Sequence, residues 1–229
     1  NVSFKNRFYK IPISLSGIRL LRKEKDGHEL AKSSPIFSGV RPTQDGCCLS
    51  LVRPFLKPAN YELTERFLGG LLSGVAADDI SLGYLLEEEM MQFLPSDVQK
   101  FIQNYKIKLS SAHCDLHQEN IFEEDGRLVL IDWGGYRKSF WDRYDVIHYH
   151  FCNEIKGDEK LSDILAFPQE VIKKMNGKID FDGHDLISYV VCRNVIESSQ
   201  DRVISETLYK KRIQKYGARI QKVWEGLKL

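Results

Sequence analysis

The stretch that most restricts the fold is His113-Cys114-Asp115-Leu116-His117-Gln118-Glu119-Asn120, followed by Leu128-Val129-Leu130-Ile131-Asp132-Trp133-Gly134. It sets an aspartate and an asparagine a short loop apart. An apolar strand then ends in a second aspartate. Phosphoryl transfer from ATP needs such a set. One carboxylate takes or orients the proton of the attacking hydroxyl, while an amide oxygen and a second carboxylate hold Mg²⁺ against the phosphates. On this reading Asp115 is the base, and Asn120 and Asp132 are the metal ligands. Glu124-Asp125-Gly126 reads as the turn of a hairpin with strands over 120–123 and 127–132. That hairpin would bring Asn120 and Asp132 to one end, and two converging oxygen donors suit octahedral Mg²⁺.

The same residues, HCDLHQENIF…LVLIDWG, resemble the H-G-D-L-H-x-x-N-hydrophobic…IDW/F signature of the aminoglycoside phosphotransferase and choline kinase family. These are small-molecule kinases with a protein-kinase-like fold. His117, two positions after the aspartate, separates the pattern from ordinary protein kinases. The resemblance implies an α+β, bilobal, kinase-like fold: a partial β-rich N-lobe over 1–53, then a helix-rich C-lobe over 54–229 with the catalytic loop, the metal site and a helical acceptor region. It implies ATP and Mg²⁺ as cofactors and the hydroxyl of a small molecule (aminoglycoside, amino alcohol or sugar) as acceptor.

Further residues take roles through that resemblance. Lys10, on a strand around 8–13, is the ATP lysine. Its partner is Glu24 or Glu29 on the following helix, with Glu24 preferred. His117 lies near the nucleotide or the acceptor, and His113 supports the loop backbone. Tyr144 and Asp145 match the family's G-D-P-x-Y-D-L-A in register, so Asp145 braces the catalytic loop through its backbone. Asp142 falls where the family has proline. Cys114 stands where the family has glycine, so its side chain must be accommodated. The glycine-rich hairpin that covers phosphates in kinases has no counterpart in residues 1–9; either it lies upstream, which an opening on Asn1 rather than Met favours, or this protein lacks it.

The remaining elements follow from hydrophobic period and turn residues. A helix is expected from about Ile18 to Lys32, capped by Ser14 or Ser16, although Asp26-Gly27 could instead turn a hairpin. Ile36–Val40 and Cys47–Val52 read as a second hairpin. Arg53–Pro58, with two prolines, reads as the hinge where kinases hold adenine through backbone groups. Helices are expected at 60–75, 79–93 and 96–105, and at about 146–154, 161–176, 184–200 and 205–227. Glu87-Glu88-Glu89 reads as a solvated face.

Composition limits the alternatives. The net charge of +1 provides no global field for nucleic acid or an anionic membrane. Five cysteines without a CxxC pair read as reduced thiols of a cytoplasmic protein. No apolar run is long enough for a transmembrane segment. A metal-dependent hydrolase is an alternative, with His113, Asp115 and His117 as ligands helped by His148, His150 or Cys152. A kinase acting on a sugar of a larger glycan and a non-catalytic kinase-like scaffold are others. Tyr136, Phe140, Trp141 and Tyr144 would suit a sugar acceptor; Asp158, Glu159, Asp163 and Glu197 would suit a cationic one.

Overall fold

The computed structural model describes residues 2–4, 7–9, 14–40, 51–52, 56–73, 79–155 and 167–227. The fold is α+β, with helices predominating over small antiparallel sheets. Among the described residues no helix is long and apolar enough to cross a membrane. The chain forms two compact units. One comprises Asn1–Ala76 and Ser110–Tyr149, and the other Ala77–Leu109 and His150–Leu229.

The first unit opens on strands β1 (Val2–Phe4) and β2 (Arg7–Tyr9), which pair with each other and, through β2, with β3 (Leu51–Val52). Between them lies helix α1 (Leu15–Lys32). It begins where the Ser14 Oγ accepts the Gly17 N–H at 3.1 Å, which satisfies one of the donors a helix leaves open at its start. Gly27 lies inside this helix and does not turn the chain. A Cβ added there would come within 2.2 Å of the Trp133 carbonyl oxygen and 3.1 Å of the Tyr136 Cβ. Glycine therefore serves close approach here, and α1 lies directly on the turn that follows Asp132.

Strand β4 (Lys57–Pro58) pairs with β8 (Ile121–Glu124), which pairs with β9 (Arg127–Leu130). The expected hinge therefore contributes an edge strand, a position where proline forfeits no ladder bond the sheet needs; residues 53–55 lie outside the described set. Hairpin β8–β9 closes through Asp125 and Gly126, both at positive φ (51° and 73°), as a two-residue turn of this kind requires. The Asn60 Oδ1 caps helix α2 (Tyr61–Ser73) through the Leu63 N–H. Ile36–Val40 is not a strand. Pro35–Phe37 forms a single 3₁₀ turn that places Phe37 edge-on to Trp133, with ring centroids 5.2 Å apart. Strand β7 (Leu109–Ala112) pairs with β10 (Arg137–Trp141), a strand the sequence did not suggest, and helix α5 (Tyr144–Glu154) follows.

The second unit contains the pair β5 (Ile80–Ser81) and β6 (Lys106–Ile107). Its helices are α3 (Glu88–Met91), α4 (Ser96–Asn104), α6 (Pro168–Met175), α7 (Gly183–Ile204) and α8 (Glu206–Leu227). The helix expected over 79–93 is broken. Ile80–Ser81 joins β6, and the Ser81 Oγ accepts the Gly83 N–H at the start of a 3₁₀ turn. Glu87 and Glu89 are engaged rather than merely solvated: both accept from Arg202, at 2.8 and 3.2 Å, and both lie within hydrogen-bond distance of the Tyr209 hydroxyl.

Candidate active site

All the site residues named from the sequence that fall among the described ones belong to the first unit: Glu24, His113, Asp115, His117, Asn120, Asp132 and Asp145. Lys10 lies outside the described residues.

The loop leaving β7 is fixed by its own backbone. His113 is completely buried. Its Nε2 donates to the Ile131 carbonyl at 2.8 Å, and its Nδ1 accepts the Asp115 N–H at 3.3 Å. Burial draws its pKa down to about 4, against the opposing pull of the Asp115 charge. The ring is therefore neutral at pH 7, the form this pair of bonds requires. Both nitrogens are committed, which removes His113 from the metal cluster considered above. Among the described residues no group of three His, Cys, Asp or Glu side chains is arranged to hold a metal ion.

Cys114 is buried in the left-handed region, with φ at 66°. A non-glycine residue there costs of order ~1 kcal/mol. Two features hold it in place. The Asp145 carboxylate accepts the His113 N–H at 2.6 Å on Oδ2 and the Cys114 N–H at 2.8 Å on Oδ1. Gly135 supplies the space, since a Cβ at that position would lie 2.9 Å from the His113 carbonyl and 3.2 Å from the Cys114 Cβ.

Asn120 ends a 3₁₀ turn (Gln118–Asn120) just before β8. Its Nδ2 donates to the Asp115 carbonyl at 2.8 Å and to the His117 Nε2 at 2.9 Å, with the Asp115 Oδ2 at 3.4 Å. The amide nitrogen thus ties the loop together, and the amide oxygen is the atom it can offer a cation. The Ile131 N–H bonds the Asn120 carbonyl, so the open end of the β8–β9 hairpin carries Asn120 opposite Ile131 and next to Asp132. Strand β8 begins one residue later than expected and β9 ends two residues earlier, so neither Asn120 nor Asp132 lies within a strand. Asp132 has left-handed backbone (φ 63°, ψ 57°), which ends the strand and starts the Trp133–Gly135 turn.

Glu24 and Asp132 meet across Gly134. A Cβ at Gly134 would lie 3.9 Å from both the Asp132 Oδ1 and the Glu24 Cβ. Glu24 is 7% exposed, whereas the Glu29 side chain is 57% exposed and bonds Lys32 at 2.8 Å. Of the two glutamates, Glu24 is the one beside the site.

The Asp115 side chain keeps 38% of its surface exposed, so its carboxylate can be reached. Burial alone would raise its pKa. The polar contact and charge of His148, then the charges of His117 and His113, more than reverse this and hold it at about 2. The His148 Nε2 lies 3.7 Å from Oδ1, and the His117 Nε2 lies 4.0 Å from Oδ2. The sequence raises His148 as a metal ligand, and with His150 as a face that could look into the cleft; its place three residues after Asp145 on a helix is the signal that could have brought it to the loop. Lys23 was not singled out. It is half-buried, and burial, then the neighbouring Arg137 charge, lowers its pKa to about 8, with Cys114 opposing.

No protein-family model, curated protein or solved structure matches the chain. The site is therefore read from its own chemistry. The residues considered for acceptor binding do not form an open surface: Tyr136, Phe140, Trp141 and Tyr144 are all buried, with Phe140 edge-on to Tyr144 at 5.2 Å. Glu197 pairs with Arg193 and Arg219, and Asp158, Glu159 and Asp163 lie outside the described residues.

Asp145 makes the site sensitive to pH. Burial raises its carboxyl from the ordinary 3.8 to about 7; the His113 and Cys114 N–H groups oppose that rise, and the Asp115 charge adds to it. A carboxyl that binds its proton more tightly when folded stabilises the fold fully below its unfolded pKa, and that contribution is lost as pH rises through the folded value. Unfolding free energy should therefore fall by up to about 1.4 kcal/mol per pH unit on approaching neutrality, and the fall should be absent from Asp145→Asn. Denaturant unfolding of both proteins across this range checks the slope. Equal slopes would remove Asp145 as its source.

Proposed function

We propose that this chain is a kinase-like phosphotransferase that moves the γ-phosphoryl group of ATP to a hydroxyl of a small molecule. The observation that carries the reading is the Asn120 amide bound to the Asp115 carbonyl, in a loop whose backbone is clamped by Asp145. This holds an exposed carboxylate and an amide oxygen in fixed relation, which is what phosphoryl transfer asks of a protein, since its catalysis consists mainly of positioning and electrostatic stabilisation.

The donor set fits Mg²⁺. Asn120 and Asp132 would hold the ion through oxygen atoms, the donor type Mg²⁺ prefers. When bound, the ion neutralises charge on the phosphates. Asp115 accepts a hydrogen bond from the acceptor hydroxyl and aims its oxygen at phosphorus. With its carboxyl held at about 2, Asp115 is a weak base. It orients the hydroxyl first and takes the proton late, as suits a loose transition state in which the nucleophile needs little activation. On this reading Lys10 meets the phosphates and Glu24, which lies beside Asp132, aligns it. The acceptor is an alcohol of the aminoglycoside, amino alcohol or sugar type.

Titration calorimetry with ATP, with and without Mg²⁺, tests the reading. We expect binding that requires Mg²⁺ and is lost in Asp132→Ala. An Asp132→Ala protein that binds Mg·ATP like the wild type would show the metal site to be misassigned. A wild-type protein that binds no nucleotide would remove the kinase reading.

A further inference from the structure

We propose that His148 is a positioning residue that fixes the carboxylate of Asp115 for the acceptor hydroxyl; the proposal rests on the phosphotransfer reading above. Residues three apart on a helix share a face, and α5 uses that face twice. In its first turn Asp145 binds the backbone of His113 and Cys114. In its second turn His148 reaches the side chain of the next loop residue, with Nε2 at 3.7 Å from the Asp115 Oδ1. One rigid element thus sets both the path of the loop and the direction of its acidic side chain.

The histidine ring is itself held. His148 is 3% exposed, and its ring is stacked on Tyr144 with centroids 5.4 Å apart and planes at 15°. Tyr144 is fully buried against Phe140. The terminal torsion of an aspartate is broad and weakly restrained, so a carboxylate that must present one oxygen needs partners on both sides. Asp115 has His148 at Oδ1, with Asn120 and His117 at Oδ2. At 3.7 Å the His148 contact is longer than a hydrogen bond, and contacts of this kind commonly shorten once substrate is bound. If Nε2 carries a proton toward Oδ1, a lone pair of Oδ2 is left to receive the acceptor hydroxyl.

The test uses Mg·ATP as substrate and water as acceptor, with ADP release as the readout and Mg·ATP affinity and thermal unfolding measured alongside. His148→Phe keeps a ring to stack on Tyr144 and removes the polar contact. His148→Gln restores a donor near the place of Nε2. We expect kcat to fall about tenfold or more in His148→Phe with Mg·ATP affinity unchanged, and most of it to return in His148→Gln. In an Asp115→Asn background, His148→Phe should cause no further loss, because the two act as one unit. Wild-type turnover in His148→Phe would overturn the proposal. So would glutamine no better than phenylalanine, or an equal loss with and without Asp115. Each of those results leaves the phosphotransfer reading standing. A wild-type protein that neither binds nor turns over Mg·ATP overturns both.

Discussion

Asp115→Asn is expected to lower turnover by about 10²–10⁴-fold while leaving Mg·ATP affinity near wild type. The loop does not depend on this carboxylate for its shape. Its backbone is held by Asp145 at His113 and Cys114, by the His113 ring at the Asp115 N–H, and by Asn120 at the Asp115 carbonyl. None of these bonds uses the Asp115 side chain. An asparagine fills the same volume, but it replaces one acceptor oxygen with a donor and removes the charge that on the proposed reading orients the nucleophile. Removing that charge also relieves the buried Asp145, whose proton affinity it raises. ADP release with a panel of alcohol acceptors, set beside calorimetric Mg·ATP binding, measures the two effects separately. An Asp115→Asn protein with full turnover would show that this carboxylate does not handle the nucleophile.

Gly27→Ala should be more disruptive to the fold than its size suggests. Alanine favours an α-helix over glycine by about 1 kcal/mol, so propensity alone predicts a stabilised protein. The new methyl carbon would, however, meet the Trp133 carbonyl at 2.2 Å, and that atom is backbone that cannot swing aside. Either α1 lifts or the Trp133–Gly135 turn shifts, and overpacking of this kind costs roughly 1–3 kcal/mol or more. Since that turn carries Asp132, Mg·ATP affinity should fall as well, although residue 27 is assigned no contact with the nucleotide. Gly69→Ala and Gly70→Ala provide the contrast, because an added Cβ at either position meets nothing within 4 Å. They should stabilise α2 by up to about 1 kcal/mol. Denaturant midpoints for the three variants decide the matter. Similar gains in all three would mean that α1 does not press on the turn.

This contrast shows what the sequence could and could not convey. Both Gly27 and the Gly69-Gly70 pair weaken a helix locally, and nothing nearby in sequence distinguishes a glycine needed for close approach from one facing open space. The partner of Gly27 lies more than a hundred residues away. The β8–β9 hairpin was legible because Asp125-Gly126 states its turn chemistry outright and apolar pairs and runs, Ile121-Phe122 and Leu128-Val129-Leu130, lie on either side. Asp115, Asn120 and Asp132 were legible as a group because their chemistry and spacing are local. Strand β10 was not, since Arg137, Lys138 and Ser139 have no alternating apolar pattern and the strand exists only through its pairing with β7. The broken helix after residue 79 was misread for a related reason: Ile80 and Ser81 continue a helical period but are claimed by Lys106 and Ile107. His148 could be placed on the same face as Asp145 from spacing alone. That this face meets Asp115 depends on how α5 packs, which no local pattern records.

The place of Trp133 has an optical consequence. Its indole is packed between Phe37 and His113, with Nε1–H bound to the Leu130 carbonyl, one residue past Asp132, and its backbone carbonyl lies directly beneath Gly27. A chromophore in so dry and rigid a setting emits at shorter wavelength than one in water, and it reddens when its cover loosens. With Trp141 and Trp224 replaced by phenylalanine, Trp133 becomes a fluorescent gauge at the junction between the first helix and the turn after Asp132. A substitution or an acid pulse that separates the two is then written into the colour of its emission without a label.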